Sequence, residues 1–475
     1  MSQRLLIAAL LLCVSPHAWS EETTEATETE ASAPEREARE AELFGDPETD
    51  EPDPEAAIFG DEPGLLQDGL DMITRLDEKN DLLQIGGLLY LRLDWTINER
   101  GGAETFPLSS PNLLDLYLDA RPSDQLRAYV RGRLSHDFTA GETSTNPFGE
   151  PRDPTRVTLD QLWLKFDIDR HVFFTVGQQP IRWGHGRFWN PTDFLNRSFK
   201  DPLAVFDERR GVALVKVHVP IESLGWNFYA IADLDQADTA DKIGVALRGE
   251  FLVGTTEIAT SFAARRDTPY RLGLSVSSGF WLIDAWAEVA LLYDVRTPRW
   301  EGSFDLETFT VPTARDVSDT WWPRASFGFE IGIPVMDEDV IYLGVEYAYN
   351  ALGYDDATLY PWLASEGALV PFYTGKHYAA LYAMLPSPGR WDDVTFILNH
   401  LANLSDNSYI LRFDTRMRVM TYLDLNFYVA AHYGDLGEFH YGIRVPPTPG
   451  IEGLEQGIDV APPLLDIGVG LRLRL

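Results

Sequence analysis

One irregular stretch of the chain gathers basic side chains that could bind or steer anions. From Gly177 to Gly211 the sequence reads GQQPIRWGHGRFWNPTDFLNRSFKDPLAVFDERRG, in a chain whose formal net charge is -35. Fixed charge in a narrow passage selects ions and steers charged solutes. The candidate site residues of this stretch are Arg182, His185, Arg187, Trp189, Asp193, Arg197, Lys200, Arg209 and Arg210.

Other kinds of chemistry find little support in the sequence. Cys13 is the only cysteine, and nine histidines show no spacing typical of a metal site. Asn399-His400, Ser405 and His432 superficially resemble a barrel hydrolase, but the residues around them do not fit that pattern. An acidic chain also repels nucleic acid. We therefore predict no enzyme activity, no metal, no cofactor and no nucleic-acid partner.

The first 20 residues have the pattern of a secretory signal peptide. Arg4 gives a positive start, Leu5 to Val14 form an apolar core, and Ala18-Trp19-Ser20 is a small-x-small cleavage site. The apolar core is far shorter than the roughly 20 residues that span a bilayer. We expect cleavage after Ser20, which leaves a mature chain without cysteine.

An acidic segment follows at residues 21–63, and we predict that it is disordered and periplasmic. It carries 17 acidic residues and too few apolar ones to offset the entropy of ordering. Phe44 and Phe59 each lie in a Phe-Gly-Asp unit. These units are either docking motifs for a periplasmic protein partner or a chance similarity in a low-complexity segment. Residues 64–81 read as a short amphipathic helix or linker.

From residue 82 to residue 475 the chain alternates apolar and polar side chains. In LLYLRLDWTI, for example, Leu91, Leu93 and Trp95 share one face, and Arg92 and Asp94 share the other. Such strands have one apolar and one polar face. They run to about ten residues, and short turns alternate with long ones, as in membrane barrels. We predict an all-β fold, a transmembrane antiparallel up-and-down β-barrel of about 18 strands, with 16 as the alternative count.

These features together resemble Gram-negative outer-membrane porins over residues 82–475. The signal peptide, the alternating strands and the terminal strand GVGLRLRL carry the resemblance, although porins usually end in Phe or Trp rather than Leu475. Trp183-Gly184 with Asn190-Pro191-Thr192-Asp193 is similar to a motif of poorly characterised porin-like barrels. The resemblance implies a Gram-negative outer membrane, contact with its lipids and lipopolysaccharide, and passive diffusion of a small hydrophilic solute.

The resemblance also implies that the third outer loop folds into the barrel and narrows the pore. Here that loop is residues 185–210, after a strand predicted at 172–184. Its aromatic residues need a surface to pack on, which supports the same placement. Its basic residues would then line the channel or, as the alternative, would only pin the loop to acidic residues of the wall.

The parity of the strands adds a basic sector to the inner wall. Because the last strand of a closed barrel pairs with the first, the inward arginines of both ends lie together, and we predict a mild preference for anions. Export of a polysaccharide and a structural anchor for an envelope machine stay open as alternatives to diffusion. The inward basic residues are Arg92, Arg127, Arg131, Arg133, Arg412, Arg416, Arg418, Arg472 and Arg474.

Overall fold

A computed structural model describes residues 82–100, 107–141, 153–304, 310–335, 339–445 and 458–475. Within them the chain forms strands almost throughout, because side chains that alternate in polarity suit a sheet with one apolar and one wet face. The strands are β1 (Leu83–Asn98), β2 (Leu108–Ser109), β3 (Pro111–Ser123), β4 (Leu126–Asp137), β5 (Thr155–Ile168), β6 (Val172–Gln179), β7 (Val212–Ile221), β8 (Trp226–Asp233), β9 (Gly244–Val253), β10 (Thr256–Ala264), β11 (Tyr270–Phe280), β12 (Ile283–Tyr293), β13 (Val295–Glu301), β14 (Thr313–Val317), β15 (Trp322–Val335), β16 (Asp339–Asn350), β17 (His377–Pro386), β18 (Val394–Asn403), β19 (Ser408–Met420), β20 (Leu423–Gly434), β21 (Ile443–Val445), β22 (Ile458–Val460) and β23 (Pro463–Arg474).

Eighteen of these strands close into one antiparallel barrel. Each pairs with the next, and β23 pairs with β1 in a register that sets Leu473 beside Leu89 and Arg472 beside Tyr90. Closure leaves no free sheet edge. The predicted count of 18 strands is confirmed. The five strands outside this set are β2, which pairs with β1, and the two small hairpins β13–β14 and β21–β22.

The two ends of the barrel differ in the length of their connections. At the short-turn end, two residues join β3 to β4, β9 to β10 and β19 to β20. At the long-loop end, residues 180–211 join β6 to β7 and residues 351–376 join β16 to β17. The second of these loops holds α1 (Tyr360–Ser365), preceded by a 3-10 turn at Ala357–Leu359. Two more 3-10 turns lie at Glu222–Leu224 and Ala240–Lys242.

The two faces of the wall have the polarity that the alternation predicts. On β1 the outward side chains of Leu91, Leu93 and Trp95 are exposed, whereas inward Tyr90 is 3% exposed. Other strands repeat this arrangement, with outward Leu, Val and Phe against inward polar or small residues. No helix among the described residues is long and apolar enough to cross a membrane.

The interior of the barrel is occupied by residues 180–211, which we call the inner segment. Two of its aromatic side chains are deeply buried: Phe188 is fully buried and Trp189 is 2% exposed. The predicted strand 172–184 is wrong at its end, since β6 stops at Gln179. Pro180 has no N–H to give to the β6–β7 ladder, and the chain leaves the sheet there.

Several predictions concern residues that lie outside the described part of the chain. These are the signal peptide at 1–20, the disordered acidic segment at 21–63 with Phe44 and Phe59, and the helix or linker at 64–81. They stay predictions.

Candidate functional site

The inner segment packs against three separate arcs of the barrel wall. Trp183, Phe194 and Leu195 join a buried cluster on β7 to β12. Phe188 and Trp189 join a second cluster on β16 to β20. Phe206 packs against Tyr90 of β1 and Leu113 of β3. The segment therefore crosses the lumen and is held from different sides.

One wall carboxylate, that of Glu346 on β16, holds the middle of the segment. It accepts hydrogen bonds from the backbone N–H groups of Arg187, Phe188 and Trp189, with N to O distances of 2.8, 3.2 and 2.7 Å. Glu346 is 0% exposed. A buried carboxylate needs such donors because leaving it unpaired in a dry site costs several kcal/mol.

Glu288 on β12 plays the same part for the neighbouring residues. Its carboxylate accepts from the backbone N–H groups of His185 (2.6 Å), Gly186 (2.8 Å) and Thr192 (3.2 Å), and from the Thr192 hydroxyl (2.7 Å). Asn190 closes the turn by donating from Nδ2 to the Gly186 carbonyl at 2.7 Å. The motif Asn-Pro-x-Asp thus shapes a turn that wraps around a wall glutamate.

The wall beneath the segment is lined with small side chains, which leave room for it. A Cβ on Gly273 of β11 would lie 3.0 Å from the Phe194 ring, and Ala246, Ala290 and Ala380 are fully buried. Small residues at inward positions therefore mark where the segment approaches the strands.

Arg187 is buried rather than free in the channel. Its side chain is 3% exposed, its Nη1 lies 3.2 Å from Glu330 Oε2, and its guanidinium lies 3.7 Å from the centre of the Tyr382 ring. Tyr382 donates in turn to Glu330 at 2.6 Å. This group fastens the segment to β15 and β17.

Gly344 on β16 allows that arrangement, and we predict that a methyl group there disturbs it. A Cβ at Gly344 would lie 2.1 Å from Tyr382 Cζ. We expect Gly344→Ala to lower the free energy of unfolding by about 1–3 kcal/mol, the usual cost of overpacking. Urea unfolding in detergent micelles measures the effect. Gly132→Ala is the control, because a Cβ at Gly132 meets nothing within 4 Å. Equal losses in both variants would contradict the prediction.

The other predicted basic residues of the segment are also bonded to neighbours. Lys200 Nζ donates to the Arg187 carbonyl oxygen at 2.9 Å. The other basic side chains form ion pairs with acidic side chains. A role of these basic residues in the passage of ions stays a prediction. The pairs are Arg182 with Asp207 (3.6 Å), His185 with Glu257 (3.2 Å), Arg197 with Asp233 and Asp235 (2.9 and 3.0 Å), Arg209 with Asp193 and Asp207 (2.8 and 2.6 Å), and Arg210 with Asp235 (3.3 Å).

Neighbouring charges shift the pKa values of two groups of the segment, His185 and Asp207. Burial alone would lower the pKa of His185, but the hydrogen bond and charge of Glu257 outweigh it, and the pKa is raised. Burial alone would raise the pKa of Asp207, but the Arg209 guanidinium holds it below its usual value. Both groups thereby favour their charged forms.

Most of the predicted basic wall is neutralised by neighbouring aspartates. These ion pairs place positive and negative charge side by side, so they add little net charge to the lumen. The pairs are Arg92 with Asp94 (2.7 Å), Arg127 with Asp119 (2.9 Å), Arg131 with Asp160 (2.6 Å), Arg133 with Asp115 (2.7 Å), Arg412 with Asp414 (2.7 Å), Arg418 with Asp393 (3.6 Å), Arg472 with Asp424 (2.7 Å) and Arg474 with Asp424 (3.1 Å).

Arg271, Arg324 and Arg416 face inward and form no ion pair within the described residues. Arg271 of β11 donates to the Phe194 carbonyl oxygen, and Arg324 of β15 donates to Asn350 Oδ1 at 3.1 Å. Arg416 of β19 lines a cleft under the inner segment. Arg271 and Arg324 lie near the long-loop end of their strands, and Arg416 lies in the other half of the wall.

Sequence reasoning missed the two glutamates that hold the segment, as well as Arg271 and Arg324. The sequence does contain a pattern that could have identified the two glutamates. Each is an inward acidic residue in mid-strand with small residues two positions away: Ala290 beside Glu288, and Gly344 and Ala348 beside Glu346. Within the described residues, no group of three or more His, Cys, Asp or Glu is arranged to hold a metal ion.

Comparison with known proteins places the fold. No protein-family model and no curated protein sequence matches the chain. Pseudomonas aeruginosa OccK9 (OpdG) superposes with a TM-score of 0.50 at 10% identity, over 82% of this chain and 99% of that one. Acinetobacter baumannii OccAB3 gives 0.49 at 10% identity, over 83% and 99%. A mutant of the Rhodopseudomonas blastica porin gives 0.39 at 9% identity, over 83% and 100%. The likeness to OccK9 agrees with the closed antiparallel β-barrel of this chain.

Proposed function

We propose that the chain is a channel for the passive diffusion of small hydrophilic solutes, with a mild preference for anions, in the outer membrane of a Gram-negative bacterium. It acts without catalysis, and the inner segment narrows its passage. Support comes from the porin-like barrel and from a segment that crosses the lumen while charged side chains line the wall.

The anion preference rests on a difference in accessibility between acidic and basic side chains of the lumen. The carboxylates of Glu288 and Glu346 are buried against backbone N–H groups, so a passing ion cannot reach them. Arg271, Arg324 and Arg416 are only partly buried and form no ion pair within the described residues. The positive charge of these three side chains attracts anions into the passage.

A reversal-potential measurement tests this. We expect the full chain in a planar bilayer, under a gradient of KCl, to favour chloride over potassium. The double variant Arg271→Gln/Arg324→Gln should move the reversal potential toward the value for potassium, because it removes two accessible positive charges.

The control removes a neutral pair instead of free charge. Arg127→Gln/Asp119→Asn deletes the ion pair between β4 and β3, so the reversal potential should stay at the wild-type value. Strong cation selectivity of the wild-type chain, or an equal shift in both double variants, would refute the proposed preference.

A second candidate function is a closed, structural barrel, favoured by the contact of the inner segment with three arcs of the wall. Liposome swelling with sugars of graded size separates it from a diffusion channel. Swelling with the smallest sugars supports diffusion, and the absence of swelling supports the structural barrel. Passage of a long oligosaccharide would instead favour polymer export.

A further inference from the structure

A cleft lies between the inner segment and the wall formed by β18, β19 and β20. The space between them is about 390 Å³, with the open solvent at its mouth included. One side is apolar and is made by the segment itself, and the other side is the polar inner wall. The lining residues are Leu203, Ala204, Val205, Ile397, Asn399, Asp414, Thr415, Arg416 and Asn426.

Three polar groups of this cleft lack partners within the described residues. Asn399 Oδ1 and Asn426 Nδ2 are buried without a hydrogen bond, in side chains of residues that are 3% and 8% exposed. Arg416 stands directly across the β19–β20 ladder from Asn426 and forms no ion pair. An acceptor, a donor and a cation thus border one small space.

The one carboxylate among the lining residues does not satisfy them. Asp414 is bound through both oxygens to the Arg412 side chain: Nη2 donates to Oδ1 at 2.7 Å, and Nε lies 3.0 Å from Oδ2. Arg412 in turn lies over the Tyr428 ring, 3.9 Å from its centre. Because an unsatisfied buried polar group costs about 1–3 kcal/mol, a molecule that completes these bonds binds favourably here.

We propose that this cleft is a binding subsite for a small hydroxycarboxylate. The proposal rests on the proposed channel function and names the class of solute that the channel would take. A carboxylate meets the Arg416 guanidinium and the Asn426 amide N–H. A neighbouring hydroxyl donates to Asn399 Oδ1, and a short carbon chain lies against Leu203, Val205 and Ile397. A single unpaired arginine beside Asp414 suits a monoanion better than a phosphate dianion.

Isothermal titration calorimetry of the full chain in detergent micelles tests the proposal, with L-lactate, propionate and inorganic phosphate as probes. We expect lactate to bind saturably and propionate to bind about fivefold more weakly, for want of one hydrogen bond. Arg416→Gln should weaken lactate binding by about tenfold or more, while Arg416→Lys restores most of it. Asn399→Ala should bring lactate down to the affinity of propionate and leave propionate unchanged.

The control is Arg127→Gln, an inward arginine of β4 far along the wall, which should leave the lactate affinity unaltered. Phosphate binding more tightly than lactate, or equal lactate affinity in the wild type and Arg416→Gln, overturns the subsite. Calorimetry does not depend on conduction. Lactate binding in a barrel that passes no current would overturn the channel function alone, and conduction without lactate binding would overturn the subsite alone.

Discussion

The Glu346→Ala variant should conduct more current than the wild-type chain, because the inner segment will leave one arc of the wall. The carboxylate of Glu346 is the shared acceptor for the backbone N–H groups of Arg187, Phe188 and Trp189.

The size of the effect follows from those three donors. Each buried N–H left without an acceptor costs about 1 kcal/mol or more, so docking weakens by at least about 3 kcal/mol. Such a loss shifts the ratio of docked to released segment by more than about a hundredfold. The packing of Phe188 and Trp189 against β17 and β18 opposes release, and this sets how far the segment moves.

Single-channel recording gives the conductance, and trypsin gives an independent measure of release. Arg187 is buried in the docked segment, so cleavage after it should become fast only in Glu346→Ala. Glu250→Ala is the matched control, since this wall glutamate bonds to Arg248 and Tyr229 instead of the segment. Wild-type conductance together with a trypsin-resistant segment in Glu346→Ala would show that the carboxylate does not hold the passage narrow.

The wall of the barrel could be predicted from the sequence, because each strand residue faces one of only two environments. Leu91 and Leu93 face the apolar surroundings of the barrel, and Arg92 and Asp94 face its polar interior. The alternation of environments is therefore visible as an alternation of residue types in the sequence. The strand count followed from it, and so did the parity of Arg412 and its neighbours.

What holds the inner segment could not be predicted in the same way. Glu346 lies 157 residues from Trp189, and Glu288 lies 103 residues from His185. No periodic pattern encodes such a pairing, which depends on barrel closure. The hairpin β13–β14 and the helix α1 were not predicted either. Loop residues do not alternate between two environments as strand residues do, so no such pattern marks them in the sequence.

Acidification from pH 8 to pH 5 should tighten the long-loop end of the barrel, through Glu438. This residue lies in the loop after β20, and its carboxylate accepts from the backbone N–H groups of Tyr373 (3.0 Å) and Gly375 (3.3 Å), from the Tyr378 hydroxyl (2.5 Å) and from Asn403 Nδ2 (2.8 Å). It thereby ties together two loops and the end of β18.

Burial raises the pKa of Glu438 from 4.5 to about 7, although the bonds from Tyr378 and the backbone partly offset the effect. A carboxyl whose pKa is raised in the docked state favours docking when it is protonated. Its contribution is fully present below about pH 4.5 and is lost as the pH rises through about 7. The difference is about 3 kcal/mol, or roughly a hundredfold in the opening equilibrium.

Amide hydrogen exchange at Tyr373 and Gly375 measures that equilibrium directly. After correction for the intrinsic pH dependence of exchange, the protection factors of these amides should fall by about a hundredfold between pH 5 and pH 8. In Glu438→Gln they should stay nearly constant, because glutamine keeps an acceptor oxygen and does not titrate. Protection that still changes with pH in Glu438→Gln would assign the effect to another group. Since Asp406 accepts from the Glu438 N–H at 2.8 Å, Asp406→Asn is the next variant that would then be measured.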